Sequence, residues 1–288
     1  ATGNLLIEKE LAIYKKIGAA NAANRKGEPV LYKSDGKGAT KILSYYANNV
    51  VDFAWFADKG FVVQYDTLQL PGGKTVDAFS YYHNKPNSLW ANSIDYIKDA
   101  TKKYSAWVGD YSYPVVQAVE GPKNNSSGGM EYPMVTLITS PDAKPESLDG
   151  VIAHEVGHNW FMGMLGSNER AHTWMDEGLN TFVQFLAEQE FDNNYPSSRG
   201  PAHKIVDYMS MPAGQLEPIM TNSENIAQFG SNAYAKPATA LNILRETVMG
   251  RPLFDYAFKE YARRWAFKHP APADFFRTME DASGVDLD

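Results

Sequence analysis

The chain contains no cysteine. This excludes a thiol nucleophile, a thiolate metal ligand and a disulfide framework. It also lacks any run approaching the ~18 consecutive apolar residues of a membrane span. The opening "ATGNLLIEKE" has none of the basic-then-apolar order of a secretory signal, and no compartment is read from it. Basic charge is scarce: 27 Lys and Arg stand against 34 Asp and Glu, a net charge of −7, with no concentrated basic stretch to mark a nucleic-acid partner. The locally basic "EYARRWAFKH" (260–269) reads as the exposed side of an amphipathic helix. What is plentiful is apolar and aromatic: 44% hydrophobic and 13% aromatic residues, including 17 Tyr, enough for a sizeable, ring-rich core. At 288 residues the chain is one large domain or two modest ones.

The first 75 residues or so differ in texture from the rest. Gly, Asn and Asp punctuate short β-branched and aromatic runs, and "FVVQYD" (61–66) and "VDAFSYY" (76–82) read as strands about the turn "PGGK" (71–74). The whole stretch is expected to be β structure. From residue 88 the period changes. Leu89, Ile94, Ile97 and Tyr104 recur near whole helical turns, Ser88 is placed to cap and Gly109 to end a helix. Strands are expected over 113–121 and 130–140, a connection over 140–150, and a helix through "VIAHEVGHNW". A second strong helix covers 173–191, residues 195–230 are irregular and proline-punctuated, and helices follow near 237–249, 252–267 and 272–282. Neither an internal repeat nor a low-complexity segment is present.

The chemistry begins at "VIAHEVGHNWFMG" (151–163). Residues four apart on a helix stack on one side, so His154 and His158 can share one ion. Glu155, rotated by about 100°, is better placed to reach a ligand of that ion than to bind it. Such an arrangement suits a zinc-activated water with a carboxylate to take its proton. A catalytic zinc keeps three protein ligands and one open position. "HTWMDEGLNTF" offers Glu177 as the third, 18 residues beyond His158 on a separate helix. Asp176 points about 100° away and reads as a supporting or capping residue, and Glu188, three turns on, as solvated.

These residues resemble the M1 family of zinc aminopeptidases, gluzincins with a thermolysin-like catalytic domain. "GGMEYP" (128–133) is similar to that family's GAMEN exopeptidase motif, and "SNAYAKPATAL" (231–241) to the segment carrying its catalytic tyrosine. "NNVVDFAWFADKGF" (48–61) is similar to the end of the N-terminal β-domain in bacterial members. The resemblance implies an α+β fold: a thermolysin-like domain over 76–288, with a small mixed sheet and a mostly helical lobe, preceded over 1–75 by the tail of a β-rich domain. It implies one zinc per chain held by His154, His158 and Glu177, with Glu155 as general base and proton donor. Tyr234 would hydrogen-bond the oxyanion, a task for a neutral donor aimed at developing charge. Glu131 would bind the free α-ammonium of a peptide. Gly128 and Gly129 would let the backbone run close to substrate, with Met130 and Tyr132 packing along the pocket wall. The implied partner is a peptide with a free N-terminus.

The chain departs from the family pattern at Gly129, where Ala is usual, at Tyr132, where Asn is usual, and at Pro237, where Gly is usual. Pro is tolerated in a first helical turn, so Tyr234 is expected to stay at a helix N-terminus. The resemblance also implies a fragment, with most of the β-domain and the C-terminal helical domain missing. Two alternatives share the motifs: an epoxide hydrolase of the same family, and a peptide-binding fragment of low activity. His83, His172, His203 and His269 lack a partner at ligand spacing and read as structural or surface residues, and Leu179, Phe182, Phe185 and Leu186 as core.

Overall fold

The computed structural model describes residues 1–33, 40–86, 88–139 and 144–287. Its chain divides into two compact units. The first comprises Ala1–Lys102 and Tyr111–Val156, the second Lys103–Asp110 and Gly157–Asp288.

The first unit is built on a mixed sheet. A two-residue strand β1 (Asn4–Leu5) pairs with β2 (Tyr45–Tyr46), flanking helix α1 (Glu8–Ala23). Strands β3 (Phe61–Gln69) and β4 (Thr75–His83) form the antiparallel hairpin expected about "PGGK", where Gly73 takes φ +88°. Next come helix α2 (Ser93–Trp107) and strands β5 (Val115–Glu120), β6 (Gly129–Met130) and β7 (Val135–Ile138). The five strands lie in the order β3-β4-β5-β7-β6, with β4, β5 and β7 parallel and the two edges antiparallel. The central strand β5 is buried along its whole length, as parallel strands covered on both faces are. Alternation along β3 assigns the covers. Tyr65 and Val63 meet α1 through Gly18 and Asn21, while Gln64 donates to Ala91 O before α2. Ser88 caps this region as expected, its hydroxyl accepting from Trp90 N at 3.3 Å.

Two expectations are corrected here. Residues 8–23 are helical, not β. Helix α1 escapes a periodicity reading because its buried positions are Gly18 and Asn21, so no apolar stripe marks its packed side. The strand expected over 130–140 is broken into β6 and β7 by a turn in which Met134 adopts φ +62°. Residues 140–143 of the expected connection lie outside the described residues.

The second unit is helical. A π-helical turn Trp174–Gly178 leads into α4 (Leu179–Phe191). The irregular segment to residue 229 holds only short turns, among them α5 (Val206–Met209). A second π-helical turn, Gly230–Ala235, leads into α6 (Lys236–Ile243), followed by α7 (Arg251–Trp265) and α8 (Pro272–Ser283). Asp274 accepts from Ala271 N at 2.8 Å to start α8, and Gly284, at φ +71°, ends it. The core is aromatic. Phe182 meets Phe254 and Phe258, and Phe258 meets Phe161 and Phe275, with centroids 5.4–6.4 Å apart. Phe182 and Leu179 are fully buried and Leu186 nearly so, as expected. Among the described residues no helix is long and apolar enough to cross a membrane.

Helix α1 approaches β3 so closely that a Cβ on Gly18 would fall 2.5 Å from Tyr65 Cβ and 2.7 Å from its backbone N. Gly18→Ala is therefore expected to destabilise the fold by about 1–3 kcal/mol through overpacking, read as a lowered urea midpoint. An unchanged midpoint would show that this contact carries no stability.

Candidate metal centre

Helix α3 (Pro145–Gly157) carries His154 and Glu155, and His158 follows its last residue. His154 thus lies one turn before His158 along the same helical path. In the second unit His158 is fully buried, and its Nδ1 lies 2.7 Å from Asp176 Oδ1, which is buried as well. This leaves Nε2 on the far side of the ring, 3.3 Å from Glu177 Oε2. Two donors about 2.0–2.1 Å from one tetrahedral ion stand about 3.3–3.4 Å apart, so this spacing fits two ligands of a single zinc. The donor chemistry fits too: imidazole and carboxylate, in a chain with no thiolate to offer.

The electrostatics point the same way. Burial works against a charge on His158, yet the carboxylates of Asp176 and Glu177 outweigh it and hold the imidazole pKa well above its ordinary value. Asp176, at 2.7 Å from Nδ1, orients the ring of the histidine beside it.

Glu177 lies in the π-helical turn Trp174–Gly178, and Tyr234 in the turn Gly230–Ala235, each directly before an α-helix. π-helical turns are rare and concentrate at functional sites. The two come close because Gly178 has no side chain, since a Cβ there would fall 2.4 Å from Pro237 Cγ and 3.1 Å from Ala233 O. Pro237, the departure from the familiar glycine, thus packs against Gly178, and Tyr234 keeps its expected place at the head of α6. The Tyr234 hydroxyl hydrogen-bonds Glu177, and burial and that carboxylate push its pKa up, so the phenol stays neutral. Phe229 meets its ring edge-on at 6.1 Å, and the Arg199 guanidinium carbon lies 4.1 Å from its centroid.

In the first unit Glu155 is buried beside β6. A Cβ on Gly129 would stand 2.6 Å from Glu155 Oε1 and 2.6 Å from Leu137 O. The space opened by Gly129, expected to serve substrate, is the seat of the Glu155 carboxylate. Met130 closes β6 at the edge of the sheet, half-exposed, and Glu131 follows it directly. Tyr132 packs on Phe56, their ring centroids 5.9 Å apart. Gly128 O accepts from Thr139 N at 2.9 Å.

The fold therefore brings His158, Asp176, Glu177 and Tyr234 together in one unit, and Glu155 with Gly129 in the other. Glu188 corrects an expectation: it is buried, not solvated, and accepts hydrogen bonds from Gln184 Nε2 at 2.7 Å and from Ser197 Oγ. Spacing put it on the outer side of α4, but the irregular segment folds back over it. Arg199, on that same segment, was not singled out by any motif. The remaining histidines have the structural roles expected. His83 bridges Asp58 and Glu120, His269 lies 2.9 Å from Gly166 O, and His203 is exposed.

Asp176→Asn should leave the fold intact and weaken divalent-metal affinity by about 10- to 100-fold, because the supporting acceptor loses its charge. Titration of zinc against a competing chelator measures this, and parental affinity would show that Asp176 does not act on the ligand.

Comparison with known proteins identifies the family and the fold. A family model described as "Peptidase family M1 domain" matches residues 94–288. Glutamyl aminopeptidase of Sus scrofa is 26% identical over 248 residues, covering 74% of this chain and 24% of its own length. Endoplasmic reticulum aminopeptidase 1 of Homo sapiens is 26% identical over 214 residues, covering 68% of this chain and 23% of its own. The chain thus spans about a quarter of the length of these relatives. Among solved structures, an M1 zinc metallopeptidase from Deinococcus radiodurans superposes with a TM-score of 0.57 at 20% identity, over 77% of this chain and 49% of that one. Legionella pneumophila aminopeptidase A gives a TM-score of 0.61 at 17% identity, over 80% and 27%. The mixed α+β architecture is the one these structures share, and the chain belongs to peptidase family M1.

Proposed function

We propose that this chain is the catalytic portion of a zinc aminopeptidase that hydrolyses the peptide bond next to a free amino terminus. The observation that carries the reading is the buried His158, held through Nδ1 by Asp176 with its Nε2 3.3 Å from Glu177. Family membership, aminopeptidase relatives and the motif spacing support it. In this reading His154, His158 and Glu177 hold one zinc ion. Bound there, zinc supplies a water of lowered pKa and a Lewis acid for the scissile carbonyl.

The remaining work belongs to the chain's own residues. Glu155 takes the proton of the attacking water and returns it to the leaving amine. Its seat against Gly129 holds the carboxylate in one place, which limits the reorganisation needed at the moment of attack. Tyr234, a phenol kept neutral by its surroundings, donates a hydrogen bond to the oxygen on which negative charge develops. Glu131, directly after the edge strand β6, pairs with the substrate ammonium and restricts the site to free N-termini. A tripeptide substrate, Tyr-Ser-Ala, has been captured in the Deinococcus radiodurans relative, and short peptides are the substrate class proposed here. The reading of residues 1–75 as the end of a preceding β-domain stays with this proposal, the β3–β4 hairpin carrying the chain onward at Thr75.

Two measurements test it. Glu155→Gln should bind zinc stoichiometrically while turnover of an aminoacyl 4-nitroanilide falls by about 10²–10⁴-fold. The parent should cleave free peptides and leave their N-acetylated counterparts intact. Parental turnover in Glu155→Gln, or cleavage of acetylated peptides at an equal rate, would refute the mechanism.

A further inference from the structure

The irregular segment that crosses the second unit is fastened at two points around Arg199. On one side Ser197 is buried, and its hydroxyl donates to the buried Glu188 carboxylate on α4. On the other, Gly200 takes φ +98° and lies so close to α4 that a Cβ would fall 2.5 Å from Phe185 Cγ. Gly200 O also accepts from Asn242 Nδ2 on α6 at 3.4 Å. Helices α4 and α6 are the two that follow Glu177 and Tyr234 directly. The strap between these fastenings presents a single long side chain, Arg199, and its guanidinium carbon lies 4.1 Å from the Tyr234 ring centroid. Gly230, at the head of the turn that carries Tyr234, lies beneath this guanidinium: a Cβ there would make ordinary contact with its Nη2 at 3.7 Å.

The geometry has a chemical consequence. A tyrosine that must donate to a developing oxyanion needs its ring plane fixed, and the Tyr234 hydroxyl already bonds Glu177. A second hydrogen bond to the hydroxyl would fix the ring but divert the donor. A planar cation over the ring face restrains the ring and leaves the hydroxyl alone. The Phe229 edge contact adds a second restraint of the same kind. Nothing in the spacing of motifs singles out Arg199.

We propose that Arg199 is a positioning residue for Tyr234, held in place by the strap Pro196–Gly200 and aiming the phenol by stacking on its face. The inference rests on the reading of Tyr234 as the oxyanion donor.

A double-mutant cycle on the zinc-loaded chain, with an aminoacyl 4-nitroanilide as substrate, tests it. Arg199→Met should lower kcat on the order of 10- to 100-fold, the range for a misaligned reacting group, with KM within about twofold of the parent and zinc content unchanged. Arg199→Lys, which keeps the charge but not the planar fork, should recover part of the loss. In a Tyr234→Phe background, Arg199→Met should cost nothing further. A readout independent of turnover uses metal-free protein carrying 3-fluorotyrosine at position 234. Its ¹⁹F resonance should be single and narrow in the parent, and shifted or broadened by Arg199→Met. Equal losses from Arg199→Met in both backgrounds, a raised KM with kcat intact, or an unchanged ¹⁹F line would overturn the proposal. The first two would assign the guanidinium to direct contact with substrate. Parental turnover in Tyr234→Phe would instead remove the reading of Tyr234 on which the inference rests.

Discussion

The structure around the site depends on one buried pair, His158 Nδ1 and Asp176 Oδ1 at 2.7 Å. It ties the residue just beyond helix α3 to the π-helical turn that carries Glu177. It also sets a problem of charge. Two adjacent carboxylates, Asp176 and Glu177, face one buried imidazole, and burying unpaired anions is costly. In the metal-free chain the proton held on His158 partly answers that cost.

Within each unit the fold relies on close approaches that only glycine permits. Gly178 lets the two π-helical turns meet through Pro237, and Gly129 lets the Glu155 carboxylate sit against the edge strand. Gly200 lets the strap close onto Phe185. Each contact positions a side chain through its backbone, on or beside an ordered helix or strand. The wide π-helical turns themselves place Glu177 and Tyr234 at helix starts, each directed differently from a residue in a regular first turn.

Much of this was legible in the sequence, and the reasons are local. HEVGH with Glu177 eighteen residues on is a statement about helix phase and loop length, and both survive folding. Ser88 acts as a cap because its hydroxyl and the Trp90 N–H are neighbours whatever the tertiary context. What escaped depends on packing between distant segments. Helix α1 hides behind Gly18 and Asn21, which carry no apolar period. Glu188 reads as solvated until residues 197–200 cover it, and Arg199 gains meaning only when that strap is fastened to α4. The break between β6 and β7 turns on Met134 at positive φ, which the apolar run around it conceals.

The central claim is that His154, His158 and Glu177 ligate one zinc ion. X-ray absorption at the zinc edge of the loaded chain tests it most directly. The account predicts one zinc per chain in an all-nitrogen-and-oxygen shell at about 2.0–2.1 Å, with outer-shell scattering from two imidazoles that drops to one in His158→Ala. A shell with fewer than two imidazoles in the parent, or one unchanged by His158→Ala, would contradict it.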